Sequence, residues 1–497
     1  MKSYITLEKE IEKINLINNV IILLYWDIAV NMQSGSAESR KNEIVNLTLI
    51  AHSMLRSNKI VELMKEAFKK SRELNAWQLA NLHEIEKKIS NALCIDDDLL
   101  KRFVSSTTQC ELIWRKAKLE DNYAKLKPYL QSVLDCVKEI ANIRFNKFNH
   151  YSKYDALIDV YDPNSKTTEI KKNYAFLKEK LPNLIQEAIN KQKSESFLPV
   201  AKIGIEQQKL ISQKIVEILG FDFTRGRIDE SVHPFCRGSP DDIRLTTKYY
   251  EDNFLPGIMA SMHEAGHGLY EQNLPVLYRN QFVGKARSMS IHESQSLLME
   301  VQIGKSKEFM EFFAKLLRDD FNLQGKEYSS ENLYKMVTRI KPNFIRIHAD
   351  EVTYPMHVIL RFEIEEALIN NEITLDELPV YWNQKMYEYF GVIPPSNREG
   401  CLQDIHWSLG DFGYFPSYTN GAIIASMLMH KIQQVNPNLN QEITRGEFKN
   451  LNHFLNLNVR SFGSFKKSDD LMKDATGEEK INPVIFLKYL EQKYLRN

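Results

Sequence analysis

The apolar residues in the first part of the chain recur at intervals of three and four. One stretch shows this spacing at Leu79, Leu82, Ile85, Ile89 and Leu93. Residues spaced in this way share one face of an α-helix, so the pattern predicts amphipathic helices from Ile5 to about Ile189. Turn-forming or helix-ending residues interrupt the pattern at Gly35, 96–98, Pro128 and 162–164. We therefore expect a stack of long helices in this part of the chain.

The pattern changes near Gly220, where glycines and prolines break the helical spacing. Residues 242–246 then alternate polar and apolar side chains, which predicts a short strand with Asp242, Arg244 and Thr246 on one face. We expect a small hairpin or sheet inserted into a helical protein. The charged side chains on this face either pair with each other or form one wall of a cleft for an extended peptide.

The charges of the chain balance, with 65 Lys plus Arg against 65 Asp plus Glu. There is no global field to attract nucleic acid or an acidic membrane surface, so neither is an expected partner. The 497 residues include 19 Gly and 16 Pro but no linker rich in either residue. This favours one large helical body, a single domain over 1–497 with a helical N-terminal part at about 1–200 and a catalytic part at about 201–497.

Cysteine usage and the first residues bear on the compartment. The cysteines are Cys94, Cys110, Cys136, Cys236 and Cys401. Their odd number and wide spacing fit a reducing compartment. The N-terminus carries acids rather than a signal-peptide core, and the apolar run from Val20 to Trp26 is too short to span a bilayer. These features predict a soluble cytoplasmic protein, in which Trp26 and Asp27 fit a buried aromatic anchor with a paired acid.

The strongest chemical signal is His263-Glu264-x-x-His267, in a segment that reads as a helix opened by Pro256. Histidines four residues apart lie on one helix face, so both imidazoles can bind one metal ion. Glu264 beside them can reach a water at that metal, which suits a zinc hydrolase. Gly266 and Gly268 each weaken a helix by about 1 kcal/mol relative to Ala, so they suggest a close neighbour such as a substrate or another helix.

A catalytic zinc site with two histidines needs a third ligand, and Ser290-Ile291-His292-Glu293 offers one. Glu293 is the favoured ligand, and His292 and Glu300 are its rivals. Ser290 and Glu293 also have the spacing of a capping box, which explains both residues without any metal.

A helix is predicted to begin at Pro342 and to run from Asn343 to about Asn370. It would carry a polar stripe formed by Arg346, Asp350, Tyr354, His357 and Arg361. Such stripes usually hold ion pairs. However, His357 and Arg361 stand among apolar residues, so part of the stripe is expected to be buried against a polar group, and an anionic substrate group is one candidate.

Residues 400–418 are dense in aromatic side chains with polar tips, and they include His406 and Tyr418. Core packing with a satisfied histidine is the usual explanation for any one of them. In a metal hydrolase, a His or Tyr opposite the metal can instead donate a hydrogen bond to a developing oxyanion.

Together these motifs resemble one family, the metallocarboxypeptidases of the carboxypeptidase Taq type (peptidase family M32). In chain order they are His233-Pro234-Phe235, Asp242-x-Arg244-x-Thr246, His263-Glu264-x-x-His267, His292-Glu293-Ser294-Gln295 and Gly400-x-x-Gln403-Asp404-x-His406-Trp407. The segment 345–351 looks like a sixth motif, although His348 stands where that family more often has an acid. The resemblance covers nearly the whole chain, from Trp26 to Pro483.

The resemblance implies an almost wholly α-helical fold with a deep groove, a homodimer, and zinc or cobalt held by His263, His267 and Glu293. It also implies removal of single amino acids from peptide C-termini, with broad specificity but poor tolerance of proline. Glu264 is then the expected general base, and His406 or Tyr418 the expected oxyanion donor.

A carboxypeptidase must also recognise a free carboxylate. Arg346 is the first choice, because guanidinium binds carboxylate as a bidentate fork, and Arg244 is held in reserve. The residues expected to contact substrate are Arg346, Asp242, Arg244, Thr246 and His233.

Two other classes of protein stay open. A helical zinc endopeptidase or dipeptidase would share the metal site. A non-catalytic peptide-binding protein would lack an intact base or metal, and the presence of Glu264 with all three expected ligands disfavours it.

Overall fold

The computed structural model describes residues 1–496. In it, α-helices form the part of the chain where apolar residues recur at intervals of three and four. The helices of this part are α1 (Lys2–Val30), α2 (Ala37–Leu55), α3 (Asn58–Lys69), α4 (Ala76–Cys94), α5 (Asp97–Leu119), α6 (Tyr123–Phe148), α7 (Lys153–Tyr161) and α8 (Thr167–Gln192). Side chains that accept hydrogen bonds from backbone N–H groups begin several of them, as Asn75 does for α4 and Asp96 for α5. The predicted stack of long helices is confirmed.

One predicted interruption is wrong, because Pro128 lies inside α6. The proline stands in the second turn, where its missing N–H removes one bond of the helix ladder. Leu126 and Leu130 on either side of it are buried, so packing holds the helix together across this position. The other three interruptions fall at helix boundaries.

The N-terminal helices form a hydrophobic cluster of their own. Its buried members include Tyr4, Leu7, Ile11 and Ile14 of α1, Ile60 of α3, and Leu82, Ile85 and Ile89 of α4. By length and composition alone, α1 is long and apolar enough to cross a membrane, since the run Val20–Trp26 belongs to this longer helix. One such helix is weak evidence for a membrane protein, because core helices of soluble proteins pass the same test.

A three-stranded sheet follows α9 (Ile205–Ile218). Its strands are β1 (Gly226–Glu230), β2 (Phe235–Ser239) and β3 (Asp242–Thr247), in the spatial order β1-β3-β2. The central strand β3 runs parallel to β1 and antiparallel to β2, so that Ile243 stands opposite Gly226 and Gly238. Ile243 and Leu245 are buried, as the alternation predicts. The small sheet is therefore confirmed.

Trp26 joins α1 to this sheet. Its side chain is buried, and the guanidinium groups of Arg227 and Arg244 lie over the indole at 5.4 and 4.5 Å from the ring centroid. Asp27 forms an ion pair with Arg40 of α2. The interpretation of this pair of residues as a buried anchor with a paired acid is confirmed.

Helices make up most of the remaining chain. They are α10 (Leu255–Gln272), α11 (Met289–Leu297), α12 (Lys307–Phe321), α13 (Ser330–Val337), α14 (Tyr354–Ile369), α15 (Leu378–Phe390), α16 (Pro416–Val435), α17 (Leu439–Thr444), α18 (Lys449–Asn458), α19 (Ser468–Thr476) and α20 (Pro483–Glu491). Pro256 stands in the first turn of α10, as predicted. A π-helical segment, Leu298–Ile303, continues α11.

The predicted start of the helix at Asn343 is wrong, because α14 begins at Tyr354. The Asp350 carboxylate accepts hydrogen bonds from the backbone N–H groups of Lys341, Val352 and Thr353, and these bonds stabilise a turn in place of a helix. Arg346 and Asp350 therefore do not share a helix face.

The capping box, which was the alternative explanation for Ser290 and Glu293, does not form. The residue that caps α11 is Ser288, whose hydroxyl accepts from the backbone N–H of Ile291. Ser290 lies inside the helix and donates to Asp162 Oδ2 at 2.5 Å. Neither residue is therefore explained by capping.

Two glycines of α10 let neighbouring structure approach closely. A Cβ on Gly266 would lie 2.3 Å from the backbone oxygen of Gln295 in α11. A Cβ on Gly268 would lie 2.7 Å from the ring of Phe221 and 3.0 Å from Leu245. The close neighbour expected from these glycines is thus α11 for Gly266, and buried side chains next to the sheet for Gly268.

Gly266→Ala should destabilise the protein by about 1–3 kcal/mol, because the added methyl group meets backbone atoms that cannot rotate away. Denaturant unfolding measures this loss. Gly204→Ala is the matched control, because a Cβ on Gly204 has nothing within 4 Å. Equal stability of the two variants would contradict the close packing of α10 on α11.

Candidate active site

Two histidines of α10 and one glutamate of α11 meet at a single point. The Nε2 atoms of His263 and His267 lie 3.8 and 3.4 Å from the two carboxylate oxygens of Glu293. One ligand atom from each residue lies within 4.8 Å of the other two. Two imidazoles and a carboxylate are the ligand set of catalytic zinc sites that keep a fourth position open. The structure thus brings the three predicted ligands together.

Glu300, one of the rival ligands, lies behind His263. Its Oε2 is 2.9 Å from His263 Nδ1, and its Oε1 is 2.9 Å from Lys305 Nζ. Because the Nδ1–H of His263 faces this carboxylate, the lone pair on Nε2 remains available to a cation. Glu300 is therefore a support for a ligand in this geometry.

His292, the other rival, supports His267 through a longer chain. Its Nδ1 lies 2.6 Å from His267 Nδ1, and its Nε2 lies 2.8 Å from Glu271 Oε1. When the Nε2–H of His292 donates to Glu271, its Nδ1 can accept the Nδ1–H of His267. This chain leaves His267 Nε2 unprotonated toward Glu293, as metal binding requires.

The charges around the ligands fit a divalent cation. Burial lowers the pKa of His267 to about 4, so this imidazole is neutral. Burial also opposes the charge on His263, but the carboxylates of Glu293 and Glu300 raise its pKa to about 10. Without a metal, the site therefore takes up a proton to compensate its carboxylates. A divalent ion bound by the same atoms supplies more of this positive charge.

Glu264 faces the same space from α10. Its side chain is buried, and it lines a cavity together with His263 and Glu293. Burial raises the pKa of Glu264 to about 7, and the neighbouring Glu293 contributes to the rise. A carboxyl group with a pKa near neutrality can both accept and release a proton.

The cavity has a volume of about 730 Å³. His263, Glu264 and Glu293 line one part of it, and Arg346 and Tyr418 line another. A cavity of this size is in the range that holds small-molecule and peptide ligands. It corresponds to the deep groove that the resemblance implies.

Arg346 reaches the cavity from a buried cluster of opposite charges. Its Nε and Nη2 donate to Asp404 Oδ1 at 3.1 and 3.0 Å, and its Nη1 donates to the Tyr354 hydroxyl at 2.8 Å. On the far side, Arg361 donates to Asp404 Oδ2 and to Gln403 Oε1, at 2.6 and 2.7 Å. Burial opposes ionisation of Asp404, yet the two guanidinium groups hold its pKa well below the usual range. Two cations sharing one carboxylate leave a net charge of about +1.

His406 and Tyr418 are hydrogen-bonded to each other, with 3.1 Å between His406 Nε2 and the Tyr418 hydroxyl. Burial lowers the pKa of His406 to about 3 and raises that of Tyr418 well above its usual value. Both groups are thus neutral and able to donate a hydrogen bond. The structure brings them together as a pair, and Tyr418 is the one that lines the cavity.

The face of β3 predicted to bind substrate is engaged in internal contacts. Arg244 donates to both carboxylate oxygens of Asp242, at 2.6 and 2.9 Å. The buried Thr246 hydroxyl accepts from Ser231 and from the backbone N–H of Phe235. Contact of these three residues with substrate stays a prediction. His233, in the turn before β2, does line the cavity.

Glu271, Lys305 and Tyr354 contact the predicted site residues, although the sequence did not assign them a role. Glu271 follows His267 by four residues on α10, and this helical spacing was a usable signal. Tyr354 was part of the polar stripe. Lys305 follows Glu300 by five residues, a spacing that does not bring side chains together on an α-helix, and Glu300 lies in the π-helical segment.

Comparison with known proteins gives consistent matches along the whole chain. A profile of the carboxypeptidase Taq (M32) metallopeptidase family matches residues 6–494. Carboxypeptidase 1 of Bacillus subtilis is 34% identical, over 98% of each chain. Thermostable carboxypeptidase 1 of Pyrococcus furiosus is 30% identical, over 95% of this chain and 94% of the relative. The solved structure of Trypanosoma cruzi metallocarboxypeptidase 1 has a TM-score of 0.96 at 34% identity and covers 100% of both chains.

His292→Phe should lower the affinity for a divalent metal about 10- to 100-fold, because His267 loses the partner that holds its tautomer and orientation. Competition with a chelator of known affinity measures the change. His83→Phe, at an exposed position of α4, is the control. An unchanged affinity would remove His292 from this support, and a loss as complete as that of His267→Ala would make it a ligand.

Proposed function

This chain belongs to the carboxypeptidase Taq (M32) metallopeptidase family, and from that premise we propose that it removes single amino acids from peptide C-termini by attack of an activated water. It is a metallocarboxypeptidase and hence a peptide-bond hydrolase, as are the relatives it matches. The main support for this reaction is that four side chains line one cavity. They are the proposed ligands His263 and Glu293, the proposed base Glu264, and Arg346.

His263, His267 and Glu293 would hold one divalent cation, with Glu300 and His292 orienting the imidazoles. Such a cation, when bound, supplies a Lewis acid that polarises the scissile carbonyl and makes a nearby water more acidic. Zinc is the proposed metal, since two imidazoles and one carboxylate are its common catalytic ligand set, and cobalt is the alternative.

Glu264 is the proposed general base. It takes a proton from the attacking water and returns that proton to the nitrogen of the leaving amino acid. Its position beside the ligands and its raised pKa both support this assignment, because the carboxyl must change its protonation state twice in each turnover.

His406 and Tyr418 are the proposed donors to the oxyanion of the tetrahedral intermediate. A well-placed donor of this kind contributes roughly 3–4 kcal/mol of transition-state stabilisation. Because Tyr418 lines the cavity, we assign the direct contact with the oxyanion to its hydroxyl. His406 shares a hydrogen bond with this hydroxyl, and we assign it the role of orienting that group.

Arg346 is the proposed clamp for the terminal carboxylate. A guanidinium has five N–H groups, and Asp404 and Tyr354 occupy three of them. Two N–H groups remain, one on each terminal nitrogen, and such a pair can bind both oxygens of a carboxylate. The net positive charge of the cluster matches a single negative charge on the substrate.

Four further properties stay proposals, and of these only the homodimer follows from the resemblance. The chain is proposed to be one peptidase domain, because a single hydrophobic cluster joins Leu130 of α6 and Leu184 of α8 to Ile359 of α14 and Ile423 of α16. It is also proposed to be a cytoplasmic, soluble homodimer, and the mass in solution tests its oligomeric state. The five free thiols agree with a reducing compartment.

A helical zinc endopeptidase or dipeptidase with the same metal site is the alternative function. It would not need a clamp for a free carboxylate at the end of a long peptide. Sizing the products of a mixed peptide by mass spectrometry separates the cases, because a carboxypeptidase leaves a ladder of stepwise C-terminal losses.

Glu264→Gln should lower kcat by at least about 10³-fold while the metal stays bound, because the amide cannot accept the proton of the attacking water. Hydrolysis of a synthetic peptide and elemental analysis of the same sample measure both quantities. Glu311→Gln, on the exposed face of α12, is the matched control. Retained peptidase activity in Glu264→Gln would end the assignment of this residue as the base.

Arg346→Ala should reduce kcat/KM for peptides with a free C-terminus by about 10- to 100-fold, the range for a lost charged hydrogen bond. C-terminally amidated peptides should lose far less. Arg361 still pairs with Asp404 in this variant, so the carboxylate keeps a partner. Equal losses on both peptides would remove Arg346 from the role, and a selective loss in Arg244→Ala would transfer the role there.

A further inference from the structure

Glu365 of α14 is a fully buried carboxylate that has no assigned role in the reaction. Its Oε2 accepts hydrogen bonds from the Tyr154 hydroxyl at 2.6 Å and from the backbone N–H of Gly413 at 2.8 Å. Its Oε1 accepts from Trp407 Nε1 at 2.8 Å. Three donors thus converge on a carboxylate that has no solvent exposure.

Two of the groups that bind Glu365, Trp407 and Gly413, lie at the ends of the segment 407–413. This segment joins His406 to the helix that carries Tyr418. Trp407 follows His406 directly, and Gly413 lies three residues before the start of α16, which carries Tyr418. Gly413 has φ +89° and packs against the backbone of α7, where a Cβ would lie 2.8 Å from Ile158 N. Glu365 therefore ties both ends of the segment 407–413 to the body of the protein.

Arg361 holds the preceding residues from the same helix. It stands one turn before Glu365 on α14 and donates to Asp404 and Gln403. These two buried side chains of α14 thus bind consecutive parts of one loop: Arg361 binds residues 403–404, and Glu365 binds the two ends of 407–413.

We propose that Glu365 is a positioning residue, which sets the distance and orientation of His406 and Tyr418 toward the reacting carbonyl. This inference rests on the oxyanion role proposed above for those two residues. Glu365 itself does not touch substrate; it acts through the segment that it anchors.

The chemistry of the three donors requires an acceptor oxygen on both sides of the side chain at this position. The N–H groups of Trp407 and Gly413 can only donate, and they face different oxygens of Glu365. A glutamine would direct its NH₂ group against one of them, whichever way the amide is turned. A buried donor without an acceptor is destabilising, and the segment can relieve that cost by moving.

The test is a double-mutant cycle between Glu365→Gln and His406→Ala, with kcat, KM and metal content measured for each protein. Glu365→Gln alone should lower kcat about 10- to 100-fold with little change in KM or metal content, because a small misplacement of a donor costs that much. Glu363→Gln is the control. It makes the same change two residues away on α14, where the carboxylate pairs with Lys178 and Lys385, and kcat should stay the same.

In the His406→Ala background, Glu365→Gln should cause little further loss of kcat, because the donor pair that it positions is already broken. Fully multiplicative losses would overturn the positioning role and leave the oxyanion role intact. An unchanged kcat in His406→Ala alone would refute the oxyanion role and this inference with it. If Glu365→Gln fails to fold, Trp407→Phe removes the same contact from the loop side and enters the same cycle with the same expected outcomes.

Discussion

The contact between α10 and α11 at Gly266 is the constraint on which the candidate site depends. Because this residue has no side chain, the backbone of Gln295 can come close enough for Glu293 to face His263 and His267. A second glycine supports the other side of the same ligand, since a Cβ on Gly421 of α16 would lie 2.7 Å from Glu293 Cβ. The three predicted metal ligands are thus held by packed helices, which position side chains more rigidly than loops do.

Two partly buried carboxylates near the candidate site, Glu300 and Asp404, each lie between two basic side chains. These contacts determine which atoms of the basic side chains remain free to bind a ligand. Glu300 lies between His263 and Lys305, and Asp404 lies between Arg346 and Arg361. A buried charge without a partner would cost several kcal/mol, so these partners are a condition for keeping the groups ionised. The partners leave specific capacity unused: the Nε2 lone pair of an imidazole, and two N–H groups of Arg346. A metal ion and a substrate carboxylate are the ligands that fit this remaining capacity.

Much of the fold could be predicted because local patterns dominate it. The helical spacing, the short strand at Asp242 and the first turn of α10 at Pro256 all depend on neighbours a few residues away. The errors arose where a distant or unusual contact decided the outcome. Asp350 accepts hydrogen bonds from three backbone N–H groups, which stabilise a turn where a helix was predicted from Asn343. Ser290 bonds to the distant Asp162, which excludes the local cap that was one explanation for this residue.

For the site, the sequence by itself determined the chemistry of the donors: the i and i+4 histidines, the glutamate between them, and a short choice of third ligands. Only the tertiary structure distinguishes those choices by their position relative to the two imidazoles. Glu293 faces the two Nε2 atoms, whereas His292 and Glu300 stand on the Nδ1 side. The choice could not be read from spacing, because it depends on how closely α11 approaches α10 and on which side of the rings it passes. Residue types and their local periodicity specify which groups can react, and the packing of helices distant in sequence specifies which of them meet.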